Sequence, residues 1–242
     1  MTELLVFAGA FLGGFSSGLT GFGFALSSLP FWALVLAPSA SAPLVMVCSL
    51  AAQAQTLPAI WRSIDFRRLA PFVICGLLGV PLGVLLLPLI SPKAFRIGLG
   101  IVLIITCALF LWMRVEKRRD SSRVGDGAVG FLGGILGGLI GLSGVLPTIW
   151  AELHGWAKEE RRAIFQGFNV AILLLALVVQ VIAGMVTASL LPLMLIAVPS
   201  CVVGARVGHW LYKRVDAKKF SRVILILLMV AGAGLILTAL RN

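Results

Sequence analysis

Two short glycine clusters are the places where this chain could do chemistry: Gly18-Leu19-Thr20-Gly21-Phe22-Gly23 and Gly138-Leu139-Ile140-Gly141-Leu142-Ser143-Gly144. Glycine admits positive φ and leaves backbone amides open to a ligand. A helix that restarts after such a turn presents unpaired N–H groups and a partial positive charge in its first turn. Two such ends directed at one point would hold an anion through backbone alone. The chemistry implied is anion recognition, with no bond made or broken.

Side chains that could complete the site are mostly uncharged. Thr20 lies in the first cluster, near Ser16, Ser17, Ser27 and Ser28; Ser143 belongs to the second, near Thr148. Gln166 and Asn169 are three residues apart, hence on one face of the helix that follows. Gln53 and Gln180 sit deeper in apolar segments. Amides and hydroxyls donate hydrogen bonds without the strength of a full charge. The candidate substrate-binding set is therefore Thr20, Gly21, Gly23, Gly141, Ser143, Gly144, Gln166, Asn169 and Arg206. Arg206 enters as a counter-charge in a cytoplasmic vestibule, against the simpler reading that it snorkels to the interface. Glycines four apart, such as Gly130 and Gly134, also serve close helix packing.

The elements that must position these residues are long apolar segments. Uncharged runs cover 4–61, 69–92, 97–113, 127–151, 163–205 and 223–240. A spanning helix needs about 20 apolar residues. At 60% hydrophobic and 12% charged, the chain departs from soluble proteins, which carry about a quarter charged residues. A polytopic all-α membrane protein follows. The formal charge of +11 does not indicate nucleic acid, because the basic residues flank apolar runs, as the positive-inside rule requires. Cys48, Cys75, Cys107 and Cys201 lie inside apolar runs with no metal-binding spacing, and read as small core residues. The six tryptophans read as an interfacial belt, and no cofactor is expected.

Self-similarity divides the chain. Phe11-Leu12-Gly13-Gly14 with Gly18, Leu19 and Gly21 recurs 120 residues later as Phe131-Leu132-Gly133-Gly134 with Gly138, Leu139 and Gly141. Gly79, Gly83 and Phe95 recur 125 residues later as Gly204, Gly208 and Phe220. Such collinear matches predict two transmembrane repeats, 1–120 and 121–242, in a single membrane domain. With four full crossings per half, the 20 basic residues split 9 to 11 between the two sides. A hairpin that enters and returns on one side changes this: 17 face the cytoplasm, leaving Lys93, Arg96 and Arg241 opposite. The rule selects the second arrangement.

Each half is thus expected to be a re-entrant (broken) hairpin plus three transmembrane helices, the halves forming inverted repeats. The hairpins are 4–36 and 127–153, the latter with its tip near mid-membrane. The spans are 40–61, 69–90, 95–113, 163–184, 190–211 and 220–240, with both termini outside. No acidic residue is expected inside a span, which argues against a carboxylate proton relay. The membrane potential favours exit of an anion by about 2.3 kcal/mol per charge per 100 mV, so potential-driven export is the leading reading and coupled import its alternative. A homodimer suits a chain this small, with no residue marking its interface.

An intramembrane serine protease is the rival, with Ser143 in Gly141-Leu142-Ser143-Gly144 as nucleophile and His209 as base. The other copy of the cluster has Gly23 at that position, which weakens it. A scaffold or insertase-like role is the third reading.

The glycine stretches followed by proline (Gly18 to Gly23 with Pro30, Gly138 to Gly144 with Pro147), and the Gly79/Gly83 and Gly204/Gly208 pairs, resemble the sulfite exporter TauE/SafE family over the whole chain. The resemblance implies an inner-membrane transporter of sulfite, of sulfonates such as sulfoacetate, or of related sulfur-containing anions.

Overall fold

The computed structural model describes residues 1–21, 23–112, 121–212 and 217–241, with side chains at 59, 62, 158, 212 and 217–224 not included. The described residues form eleven α-helices and no strand: α1 (Thr2–Thr20), α2 (Phe24–Val35), α3 (Pro38–Ala54), α4 (Leu57–Ile60), α5 (Phe66–Leu86), α6 (Pro92–Trp112), α7 (Arg123–Ile140), α8 (Val145–Leu153), α9 (Lys158–Ile182), α10 (Leu191–Tyr212) and α11 (Ala217–Arg241). Six stretches are long and apolar enough to cross a membrane: Thr2–Thr20, Phe66–Leu89, Pro92–Trp112, Arg123–Ile140, Glu159–Ile182 and Ala188–Leu211. The outward faces suit lipid. On α5, Ile74, Leu78, Leu82 and Leu85 are exposed while Phe72, Gly76, Gly79, Val80 and Gly83 are buried. In water such an exposed stripe would be costly.

Helical hairpins occur at both glycine clusters. Trp32 Nε1 donates to Val6 O at 3.1 Å and Gly13 faces Phe24, so α2 runs back along α1. Trp150 Nε1 donates to Asp126 Oδ1 at 2.8 Å, and Gly137 faces Ser143, so α8 runs back along α7. The arms are unequal, at 19 and 12 residues in the first hairpin and 18 and 9 in the second. The first arm of each, expected as half a hairpin, is itself long enough to cross.

Glycine sets the main helix pairs. A Cβ on Gly14 would lie 2.1 Å from Cys201 O, and one on Gly18 would lie 2.2 Å from Ala205 O. The contacts advance in step, so α1 and α10 run parallel. On the second pair, a Gly134 Cβ would meet Gly76 O at 2.0 Å and a Gly138 Cβ would meet Val80 O at 2.3 Å. Helices α5 and α7 are therefore also parallel. The same glycine positions appear in both pairs, shifted by 120 residues on one partner and 125 on the other.

Three expectations change. The segment 40–61 is not one helix: α3 ends at Ala54 and α4 begins at Leu57, because Pro58 has no N–H to bond the Ala54 carbonyl and its ring crowds that position. Asp126 is buried in the first turn of α7, inside a stretch long enough to span. There Trp150 and Ser121 hydrogen-bond its carboxylate, and the helix N-terminus favours its charge. Trp32 and Trp156 are buried within the protein and do not face outward, the former because its indole N–H closes the first hairpin. The 220–240 span falls within α11, with its first side chains outside the described residues.

Candidate functional site

Both glycine clusters turn the chain in the way their composition predicts. Gly21 closes α1 with φ 84° and Gly141 closes α7 with φ 74°, both left-handed. Gly141 N–H returns to Gly137 O, the single bond of a left-handed helix ending, and Leu142 N–H reaches Leu136 O. Gly23, at φ 93°, then starts α2, and Gly144 starts α8; neither helix has a side-chain cap.

The two restarts meet. One cavity is lined by Gly23, Phe24, Ala25 and Leu26 from the first hairpin, and by Gly141, Leu142, Gly144 and Val145 from the second. Ser17 of α1, Ser49 of α3 and Asn169 of α9 complete its wall. The first turns of α2 and α8 therefore present their amide ends to the same space, the arrangement that favours an anion. The cavity leaves ≈ 20 Å³ for water-sized occupants. A single water needs about 10–15 Å³ by this measure. Larger guests require the walls to part.

Neutral donors face this space. Asn169 is 7% exposed and Ser17 and Ser49 are each 4% exposed. Ser143 Oγ hydrogen-bonds Asn169 Oδ1, which turns the Asn169 NH₂ away from Ser143. Neither that NH₂ nor Ser17 Oγ makes a hydrogen bond among the described residues. Ser49 Oγ accepts from Gln53 Nε2 at 3.2 Å, leaving its own proton to donate. None of the lining residues carries a charge.

Outside the cavity, Gln166 Nε2 donates to Gly21 O at 3.1 Å and to Thr56 Oγ1 at 3.4 Å. Arg162, one turn earlier on α9, also packs against Gly21. At the other turn Gly141 meets Val45. One tip thus rests on polar groups and the other on an aliphatic side chain.

Of the residues selected from sequence, Gly23, Gly141, Gly144 and Asn169 line the cavity, and Ser143 holds Asn169. Gly21 and Gln166 bond each other beside it. Thr20 Oγ1 donates to Ser16 O at 2.8 Å and does not line the cavity. Arg206 is exposed on α10 and does not line the cavity. His209 is also on α10 and outside the lining, whereas Ser143 pairs with Asn169, so the structure supplies no Ser143–His209 dyad. Sequence reasoning missed Ser49, and placed Ser17 near the first cluster without assigning it to the site. Ser49 lies 120 residues before Asn169, so projecting Asn169 through the repeat would have found it.

No curated protein and no solved structure matches this chain. A family model, sulfite exporter TauE/SafE, matches residues 6–235, nearly the entire length. With six apolar helices long enough to span, two hairpin tips meeting at an uncharged cavity, and this match, the chain is a multi-pass membrane protein that belongs to the sulfite exporter TauE/SafE family.

Proposed function

We propose that the chain carries a small sulfur-containing oxyanion, sulfite or an organosulfonate, across the inner membrane through the cavity between the hairpin tips. The observation that carries this reading is the convergence of the uncapped starts of α2 and α8 on one space. Each contributes about half a positive charge, and Ser17, Ser49 and Asn169 add hydrogen-bond donors. Family membership supports the same class of cargo.

In this reading residues 1–120 and 121–242 are inverted repeats, and each hairpin re-enters on the side from which it came. The 12-residue α2 and 9-residue α8 support re-entry, since both fall well short of about 20 residues. The parallel α1–α10 and α5–α7 pairs agree with it: each joins a hairpin arm to a spanning helix of the other half. The basic loops face the cytoplasm and both termini face outside. Transport runs outward, driven by the membrane potential.

The test is electrical. Purified protein in proteoliposomes receives jumps of sulfite, taurine, sulfoacetate, sulfate and chloride. Saturable current with sulfur oxyanions, lost in Gly141→Leu, supports the reading. Uptake driven by a pH gradient would instead favour a coupled importer. Silence with folded protein would contradict an electrogenic route.

A further inference from the structure

We propose that Arg162 and Gln166 form a second anion subsite, on the cytoplasmic side of the first hairpin tip, which the Gly21 carbonyl fills until cargo displaces it. The proposal rests on the transport reading above, including its topology, and adds an entry step to it.

The subsite follows from the way α3 and α9 face each other. Arg162, Gln166 and Asn169 stand four and then three residues apart on α9, so they form one polar stripe. At about 1.5 Å per residue, Arg162 lies about 10 Å along the helix from Asn169 in the cavity wall. Ser49 and Gln53 on α3, with Thr56 just beyond it, run opposite this stripe. Ser49 lines the cavity with Asn169, and Thr56 Oγ1 accepts from Gln166 Nε2 at 3.4 Å. A polar seam therefore leads from the cavity toward the start of α9. Gln53 is 1% exposed and Gln166 0%, and neither side-chain oxygen has a hydrogen-bond partner among the described residues. Such oxygens are costly in a permanently dry core, and suit a seam that wets when the tip moves.

The first tip closes this seam. Gly21 O accepts from Gln166 Nε2 at 3.1 Å, and a Cβ on Gly21 would lie 3.0 Å from Arg162 Nε. A backbone carbonyl oxygen thus sits on an amide N–H with a guanidinium beside it, where an oxyanion would find both donors. The carbonyl is neutral, whereas a sulfite or sulfonate oxygen is charged and binds the same donors more strongly. The guanidinium fork matches two oxygens of one tetrahedral oxyanion. Once Gly21 is released, Gln166 and then Asn169 receive the anion along one helix face.

The second tip has no such device. Projected back by the 120-residue offset, Arg162 and Gln166 fall on Ala42 and Met46, both apolar and buried. Gly141 correspondingly packs on Val45. Donors stand at the cytoplasmic tip and aliphatic groups at the outer one, so a subsite of this kind acts from one face only.

The experiment uses the full chain in proteoliposomes of one verified orientation. Sulfite jumps are applied to either face, protein-free vesicles are subtracted, and melts in detergent confirm folding. Arg162→Gln is expected to raise half-saturation about tenfold on the cytoplasmic face and less than about twofold on the outer face. Arg162→Lys, which keeps the charge without the fork, should return the cytoplasmic value to within about threefold of wild type. Gln166→Ala should give the same one-sided rise, and it decides the matter if Arg162→Gln does not fold. An equal rise on both faces assigns these residues to the shared cavity or to the fold and overturns the subsite. No rise on either face overturns it as well, and in both cases the wild-type current leaves anion transport standing. Folded wild-type protein that carries no sulfite current removes the transport reading and the subsite together.

Discussion

Ser49 on α3 and Asn169 on α9 line one cavity from positions 120 residues apart, the same offset that separates Gly21 from Gly141. Residues 1–120 thus lend one helix start with Ser17 and Ser49 to a shared space, and residues 121–242 lend one helix start with Asn169. The supports differ: Ser49 is held by Gln53 on its own helix, whereas Asn169 is held by Ser143 from the tip. Each tip is tied to a site donor, the first through Gly21 N–H on Ser17 O at 2.7 Å and the second through the Ser143 side chain on Asn169.

Removing a donor should weaken the cargo complex. Hydrogen bonds to charged partners contribute about 1.5–3 kcal/mol, so Ser49→Ala should raise the half-saturating anion concentration by about tenfold or more. Gln53 Nε2 keeps Ser49 O as an acceptor, so stability should change little. Concentration-dependent flux and a thermal melt in detergent check both parts.

The left-handed turn at Gly141 resists any side chain. A Cβ there would sit 2.5 Å from Val45 Cγ1, and left-handed backbone costs an L-residue about 1–2 kcal/mol. Gly141→Ala should lower the melting temperature modestly and flux severalfold. Gly141→Leu should abolish flux with folded protein still recovered by size-exclusion chromatography.

Glycines within the helix pairs should behave differently from glycine on an open face. A Gly134 Cβ would overlap Gly76 O at 2.0 Å, so Gly134→Leu forces α5 and α7 apart and should prevent folding. Gly98 on α6 has nothing within 4 Å of its added Cβ. Gly98→Ala should stabilise by about 0.5–1 kcal/mol through helix propensity. Paired melts of the two variants check the contrast.

Arg206 should be dispensable for binding. It is exposed on α10 and lines no part of the cavity, so Arg206→Gln should leave half-saturation within about twofold. A tenfold loss would return this side chain to the anion path.

Much of this architecture is legible in the sequence because its causes are local. Charge gaps mark the apolar segments, and the hairpin turns follow from glycines placed where left-handed backbone is required. The exposure of Arg206 was not legible, since it follows from a contact between helices. Gly204 and Gly208 face α1, and at about 100° per residue a position midway between them points away. Ser49 was not legible alone, since one serine in an apolar helix has many uses; its role emerges when α3 and α9 bring it opposite Asn169. Burial of Asp126 depends on Trp150 reaching back from α8, a contact that exists only once the second hairpin has formed.

The most direct test of the site is Asn169→Asp, which keeps side-chain shape while replacing the NH₂ with a carboxylate oxygen. Anion-jump currents of this variant and wild type are recorded in matched proteoliposomes, with melts confirming that both are folded. A negative charge at the cavity wall should eliminate the saturable oxyanion current seen in wild type. Equal currents in the two proteins would contradict anion passage between the hairpin tips.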